Sequence, residues 1–208
     1  MRSLTARRAS LIGFAVSAAL FVGIGILAVN RLVDLGAANA AVEHTLLVRA
    51  EAEALISLLK DAETGQRGYL ITDQIEYIQP YNDAVAQLPK RIETFRRLTA
   101  DDPKQQDYIT AFEGVADRRL AVLREGIGMR REQGLEAAAN LIATGEGNRL
   151  MDAARNVVAQ MVAEEDRLSR ERGLAQRDRA TAVATASLGS LAVAFALLVI
   201  ATFFVARR

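Results

Sequence analysis

The segment SLIGFAVSAALFVGIGILAVN at Ser10–Asn30 contains no charged residue, and neither does ATAVATASLGSLAVAFALLVIATFFVA at Ala180–Ala206. The two stretches are 21 and 27 residues long. Because a helix rises about 1.5 Å per residue, each of them can cross a hydrocarbon core of about 30 Å. They predict transmembrane helices at residues 10–30 and 180–206, with residues 31–179 exposed to water on one side of a membrane.

The basic residues beside the two stretches predict which side that is. The termini, residues 1–9 and 207–208, contain five arginines and no acidic residue. All 25 Asp and Glu lie in residues 31–179 together with 21 Lys and Arg, so this segment has a net charge of about −4. Since basic flanks stay in the cytoplasm, we predict a multi-pass protein of a bacterial inner (plasma) membrane, with both ends cytoplasmic and the central segment periplasmic or extracellular. The acidic balance argues against nucleic acid as a partner.

A cleaved signal peptide is the alternative interpretation of the N-terminus, with Ala38-Asn39-Ala40 as the cleavage site. The apolar run is longer than the roughly 7–15 residues typical of signal peptides, and the triplet lies well beyond its end. An uncleaved anchor is therefore favoured. The chain has no cysteine, so the central segment is expected to depend on packing and not on disulfides.

The central segment is predicted to be all-α, because it is rich in Ala, Leu, Glu and Arg and has only three prolines and no Asn-Gly or Asp-Gly hairpin signal. The predicted helices are residues 31 to about 72, 73 to about 99, 103–133, 135–143, and 148 into the second apolar stretch. Together they predict an antiparallel four-helix bundle continuous with the two transmembrane helices.

Apolar residues at helical spacing predict the buried faces. On the first helix these are Val48, Leu55, Ala62 and Tyr69 with Leu58 and Gly65; on the third, Ile109, Phe112, Ala116, Leu120, Leu123 and Ile127; on the last, Leu150, Ala154, Val157, Met161 and Leu168.

Helix ends are predicted from capping residues. Asp73 is expected to cap the second helix with Glu76 as its capping-box partner, and Asp102 to cap the third with Gln105. Pro89 is expected to bend the second helix.

The second helix is too short to return to the membrane, so the first and last helices are expected to leave a bare two-helix stalk. Two helices alone bury little surface, and we therefore predict a homodimer.

Two motifs indicate a family. DAETGQRGYL at Asp61–Leu70, followed by Tyr77 and Pro80-Tyr81-Asn82, resembles the third CHASE-type family of sensory extracellular domains, and so does EEDRL at Glu164–Leu168 with Arg172 after it. The resemblance covers about residues 31–179. It implies a periplasmic helical bundle that relays a stimulus to a cytoplasmic histidine kinase, cyclase or chemoreceptor output, and it supplies no ligand.

Members of this family usually continue past the second span into an output domain, whereas this sequence ends at Arg208. It is expected to be either the input portion of a longer receptor or a free-standing sensor that acts through a cytoplasmic partner. The alternative function, from another class, is a non-sensing membrane-anchored scaffold or adaptor.

The first motif has two interpretations. In one it binds a ligand, with Arg67 as an anion clamp, Tyr69 and Tyr81 as walls, and Asn82 beside them. In the other, which is favoured, it is structural: Glu63 and Arg67 form an i,i+4 ion pair, and Gly65 and Gly68 allow close helix contact. The motif residues are Asp61, Glu63, Thr64, Gly65, Gln66, Arg67, Gly68 and Tyr69.

The second motif consists of Glu164, Glu165, Arg167 and Leu168, with Asp166 between them. Counting residues from the membrane places it level with residues 44–49, so an ion pair of Glu164 or Glu165 with Arg49 is geometrically reasonable. A solvated charged face is the favoured interpretation.

Catalysis is not predicted. His44 is the only histidine, and with no cysteine there is no ligand set for a transition metal and no thiol nucleophile. No phosphate-binding loop, kinase signature or nucleophile elbow is present. We expect no enzyme activity in this chain and no cofactor.

Overall fold

The computed structural model describes residues 2–206, and among these residues it contains helices and no strand. The helices are α1 (Arg2–Thr72), α2 (Gln79–Leu98), α3 (Pro103–Gln133), α4 (Leu135–Ala143) and α5 (Glu146–Ala206), with a short 3-10 turn at Ile75–Ile78. The all-α prediction is confirmed. The predicted cytoplasmic end at residues 207–208 lies outside the described residues.

The chain divides into two compact units. The central unit is Val42–Ser169, and the terminal unit is Met1–Ala41 with Arg170–Arg208. Helices α1 and α5 contribute residues to both units.

The central unit is a four-helix bundle around one apolar core, with α4 packed against α3 at one end. Most buried positions on each helix are three or four residues apart, which is the spacing that lets neighbouring helices interdigitate at a shallow angle. The core residues are Val48, Ala52, Leu55, Leu59 and Ala62 on α1; Tyr81, Ala84, Leu88, Ile92 and Phe95 on α2; Ile109, Phe112, Val115, Ala116, Leu120 and Leu123 on α3; and Met151, Ala154, Val158 and Met161 on α5.

Two of the predicted apolar rows differ from the structure at single positions, although Val48, Leu55, Ala62, Ala154 and Met161 are buried as predicted. On α5, Leu150 and Val157 are only half-buried, and Met151 and Val158 occupy the core instead. On α1, Leu59 is fully buried where Leu58 was predicted. The shift on α5 has a consequence, because it moves the buried row onto Glu165, which is 1% exposed.

The connection from α1 to α2 differs from the prediction. Asp73 has a φ of 58°, and its N–H donates to the carbonyl of Tyr69 at 2.8 Å, so it ends α1 and does not cap α2. Its carboxylate lies 3.5 Å from Nη2 of Arg130. The capping box with Glu76 is therefore wrong, and α2 begins only at Gln79, with Pro80 in its first turn.

The other helix ends largely follow the sequence. Oδ1 of Asp102 accepts from the N–H of Lys104 at 2.9 Å, which confirms the cap of α3. Gln105 does not complete a capping box: its Nε2 donates to the carbonyl of Met161 at 2.9 Å, because Gln105 lies on the buried row of α3. Gly134, with a φ of 90°, ends α3 as predicted, and α5 begins at Glu146, slightly before the predicted Asn148.

The terminal unit contains two apolar helical segments. Both α1 and α5 are long and apolar enough to cross a membrane, and in their most apolar stretches none of the residues whose burial the structure describes is buried. Large apolar side chains on these segments are exposed, among them Phe14, Phe21, Ile24, Phe195 and Val199.

Candidate functional site

The two glycines of the first motif provide a flat surface for the connection between α1 and α2. A Cβ on Gly65 would lie 2.8 Å from the backbone N of Tyr81 and 3.1 Å from the carbonyl of Tyr77. A Cβ on Gly68 would lie 2.9 Å from the Tyr77 ring. The close contact predicted for these glycines is therefore present, and it is made by the 77–81 segment.

Gly65→Ala should destabilise the central unit by about 1–3 kcal/mol, because the added methyl meets backbone atoms that cannot rotate away. Gly173→Ala is the matched control, since a Cβ there has nothing within 4 Å and alanine favours helix. Urea denaturation of the two variants, followed by circular dichroism, measures the difference. Equal free energies of unfolding for Gly65→Ala and the unmodified chain would contradict the close-contact role.

A buried polar layer lies at the same end of the bundle. Oε1 of Glu63 lies 2.7 Å from Nη2 of Arg67, and its Oε2 lies 3.0 Å from Nη2 of Arg119 on α3, so Glu63 forms ion pairs with both arginines. The Glu63–Arg67 pair matches the structural interpretation of the motif. The side chain of Arg67 is 59% exposed, whereas that of Arg119 is only 6% exposed. Glu63 thus joins a surface arginine to a buried one.

Next to this layer, Gln66 is buried and its Nε2 donates to the carbonyl of Leu123 at 3.3 Å. A small cavity of about 30 Å³ opens beside it. It is lined by Glu63, Gln66, Arg67, Arg119, Val122, Leu141, Ile142, Gly147 and Asn148. The cavity therefore touches α1, α3, α4 and the start of α5.

The four residues predicted to bind a ligand do not converge. Arg67 lines the cavity, but Tyr81 is buried in the main core and Tyr69 in a separate cluster with Leu70 and Ala138. Asn82 is exposed on α2. Their joint role as a ligand site stays a prediction. In the structure the two tyrosines are buried away from the cavity that Arg67 lines.

Two other residues of the first motif face outward. Asp61 and Thr64 are both exposed, and the Thr64 hydroxyl donates to the carbonyl of Lys60 at 2.9 Å within α1.

The second motif lies at the opposite end of the core, and its two glutamates are buried. Glu164 is 7% exposed, and its carboxylate accepts from Nε and Nη2 of Arg167 at 2.9 and 2.6 Å. The Lys104 ammonium lies 3.6 Å away. Hydrogen bonding to Arg167 lowers the pKa of Glu164 despite the opposing effect of burial. The favoured expectation of a solvated charged face is therefore wrong.

The same motif ties α5 to α1. Oε1 of Glu165 accepts from the Thr45 hydroxyl at 2.8 Å, and Oδ1 of Asp166 accepts from Nη1 of Arg49 at 3.1 Å. The predicted level of residues 44–49 is confirmed, although Arg49 pairs with Asp166 and not with Glu164 or Glu165. Leu168 is half-buried.

Arg119 and the buried role of Gln66 and Gln105 are absent from the predictions. A signal for them exists in the sequence: Gln105, Ile109, Phe112, Ala116, Arg119 and Leu123 alternate four and three residues apart. A polar residue on such a row is carried into the core by the helix itself. A pattern of apolar residues alone does not include these polar positions.

These features define an all-helical bundle with polar layers near both ends of its core. Its first and last helices, α1 and α5, are long and continue into apolar segments. Residues 38–173 match the CHASE3 domain. Because the match covers more than half of the chain, the chain belongs to the CHASE3 family, and it contains a sensory domain of the kind found in signalling receptors.

A solved structure has a similar fold, the sensor domain of the histidine kinase HK9 of Rhodopseudomonas palustris. The TM-score is 0.56 at 22% sequence identity, over 60% of this chain and 97% of that one. At this identity the likeness supports the fold alone. No curated protein matches the sequence.

Proposed function

We propose that this chain is the extracytoplasmic input module of a bacterial signal-transduction receptor, held in the inner membrane by its two apolar segments. The central unit receives a stimulus in the periplasm, and α5 relays it to a cytoplasmic histidine kinase, cyclase or chemoreceptor output. Membership of the CHASE3 family supports the sensory role.

Membrane anchoring is supported by the exposed apolar surface of the terminal unit. The ring of Phe21 is 79% exposed, and Phe14 and Leu188 are 76% and 68% exposed. Water-facing surfaces rarely carry so many large apolar side chains together, whereas lipid solvates them. The arginines at both termini favour a cytoplasmic location for the ends.

The relay is supported by the contacts of the second motif. Glu165 and Asp166 bond to α1 just before α5 leaves the central unit at Ser169. A stimulus that binds two packing arrangements of the bundle with different affinity would change these contacts and so displace α5.

A homodimer is the assembly we propose. The two helical segments of the terminal unit leave a cleft of about 640 Å³ between them, lined mainly by small and apolar residues such as Ala19, Gly23, Leu27 and Ala194. Small residues let helices approach closely within a membrane, so a helix of a second copy suits this surface.

Reporter fusions test the membrane orientation. Alkaline phosphatase, which is active only in the periplasm, should be active when fused after Gly134 and inactive when fused after Arg208. A reporter that is active only in the cytoplasm, fused at the same two positions, is the matched control and should give the reverse pattern. Phosphatase activity after Arg208 would contradict the proposed orientation.

A further inference from the structure

The cavity beside Glu63 is lined by a buried arginine side chain. Arg119 lines the cavity and is 5% exposed, and its Nε has no hydrogen-bond partner among the described residues. Buried N–H groups of this kind are almost always satisfied in folded proteins by a protein group, water or a ligand. An acceptor group placed in the cavity would satisfy this N–H.

The start of α5 adds further donors on the same side. The helix follows Gly145, which has no side chain to cap it, and only Glu146 finds a side-chain acceptor, the Thr144 hydroxyl at 3.3 Å. Within residues 2–206, nothing accepts from the backbone N–H groups of Gly147 and Asn148, both of which line the cavity. The first turn of a helix attracts anions through these N–H groups and the helix dipole.

The guanidinium of Arg119 lies directly against this turn. A Cβ on Gly147 would be 2.7 Å from Nη1 of Arg119, so only glycine admits the arginine here without a shift. The backbone donors and the guanidinium therefore border the same small space.

The charges around the cavity are unbalanced. Glu63 is the only acidic residue among those that line it, against the two guanidinium groups of Arg67 and Arg119. One positive charge is in excess, and Arg67 extends it to the surface. The cavity thus favours an added anion over a neutral molecule.

We propose that this cavity binds the carboxylate group of a small organic acid between α1, α3 and the first turn of α5. A volume of about 30 Å³ has room for a group the size of about two water molecules, which suits a carboxylate. The planar guanidinium of an arginine can donate two parallel hydrogen bonds to a carboxylate, and a spherical anion does not match this geometry as well. The remainder of the acid extends past Arg67 toward solvent.

This inference deepens the proposed function and rests on it for its physiological meaning, since it names the ligand class of the sensory unit. A carboxylate bound here would touch the start of α5, the helix proposed to carry the signal. Binding itself requires neither the membrane orientation nor an output domain, so the two proposals fail separately.

Acetate is the probe for the test, with the full chain in lipid nanodiscs. Sodium acetate replaces sodium chloride at constant ionic strength, and the melting temperature of the central unit is followed by circular dichroism. We expect the melting temperature to rise and saturate with acetate, because a ligand that binds only the folded state stabilises it. Acetamide, a neutral molecule of the same shape, should have no such effect.

Arg67→Gln and Arg119→Lys should each weaken the apparent affinity for acetate at least about tenfold. Arg118→Gln is the matched control, because Arg118 neighbours Arg119 in sequence but is exposed and bonds to its own helix at the Gly114 carbonyl. Arg67 is mostly exposed, so Arg67→Gln decides the question if Arg119→Lys does not fold. Equal shifts with acetate and chloride, or equal responses of Arg67→Gln and Arg118→Gln, would overturn the proposal.

Discussion

Gly173→Pro should abolish communication between the central unit and an output domain fused after Arg208. Gly173 lies inside α5, where proline removes a backbone N–H and clashes with the carbonyl of Ser169, at a cost of about 3 kcal/mol. If α5 transmits the signal, a break in the helix at this position prevents the signal from reaching the output domain. The effect expected is complete loss of response, the largest functional change proposed for this chain.

The experiment needs no known stimulus. Glu165→Gln weakens the acceptor of the Thr45 hydroxyl and serves as an artificial input, because it alters a contact between α5 and α1. The activity of a histidine-kinase transmitter fused after Arg208 is measured with and without this change, in chains that carry Gly173, Gly173→Ala or Gly173→Pro.

We expect Glu165→Gln to change the output in the Gly173 and Gly173→Ala chains and to have no effect in the Gly173→Pro chain. Gly173→Ala is a suitable control, since a Cβ there meets nothing within 4 Å. A Glu165→Gln effect that survives Gly173→Pro would show that a continuous α5 is not the route. If Glu165→Gln changes the output in none of the three chains, the contacts of the second motif are not part of the signalling route.

Glu63→Ala should lower the free energy of unfolding of the central unit by about 3 kcal/mol. The substitution leaves the guanidinium of Arg119, whose side chain is 6% exposed, without a carboxylate. An uncompensated buried charge is among the most destabilising changes that a single substitution makes. Urea denaturation followed by tyrosine fluorescence measures the loss, because the chain has no tryptophan.

A second substitution separates this cause from a general loss of contacts. Glu63→Leu combined with Arg119→Met removes both charges and keeps side-chain volume, so it should recover most of the lost stability. Glu53→Ala, an exposed acid on the same helix, should change stability by less than about 0.5 kcal/mol. If the double variant is no more stable than Glu63→Ala, the buried charge is not the reason for the loss.

The sequence predicts the fold well because the strongest signals are local. The Asp102 cap and the stop at Gly134 depend on neighbouring residues, and both of these helix ends are confirmed. The prediction for Asp73 is wrong because this residue adopts a positive φ and ends α1, and its carboxylate lies beside Arg130 of α3. Because Arg130 is distant in sequence, no local pattern predicts its ion pair with Asp73.

The candidate site was only partly predictable. Arg67 and Glu63 belong to a recognisable motif, and their i,i+4 spacing fixes their pairing. The second guanidinium, on Arg119, comes from a helix distant in sequence, and its burial overrides the usual exposure of arginine. Glu165 was expected on a solvated face but is buried, because the row of core residues on α5 continues through this acidic residue.

The two buried glutamines restrict the kinds of movement open to this bundle. Gln105 of α3 donates to the Met161 carbonyl of α5, and Gln66 of α1 donates to the Leu123 carbonyl of α3. Sliding α5 along α3 by two residues, about 3 Å, would carry the Met161 carbonyl beyond hydrogen-bond distance of Gln105 and leave its buried amide N–H without this acceptor. Translation of α5 on that scale is therefore opposed by the loss of a buried hydrogen bond, whereas small translations and small rotations of α5 about its own axis both leave the carbonyl within reach of the amide.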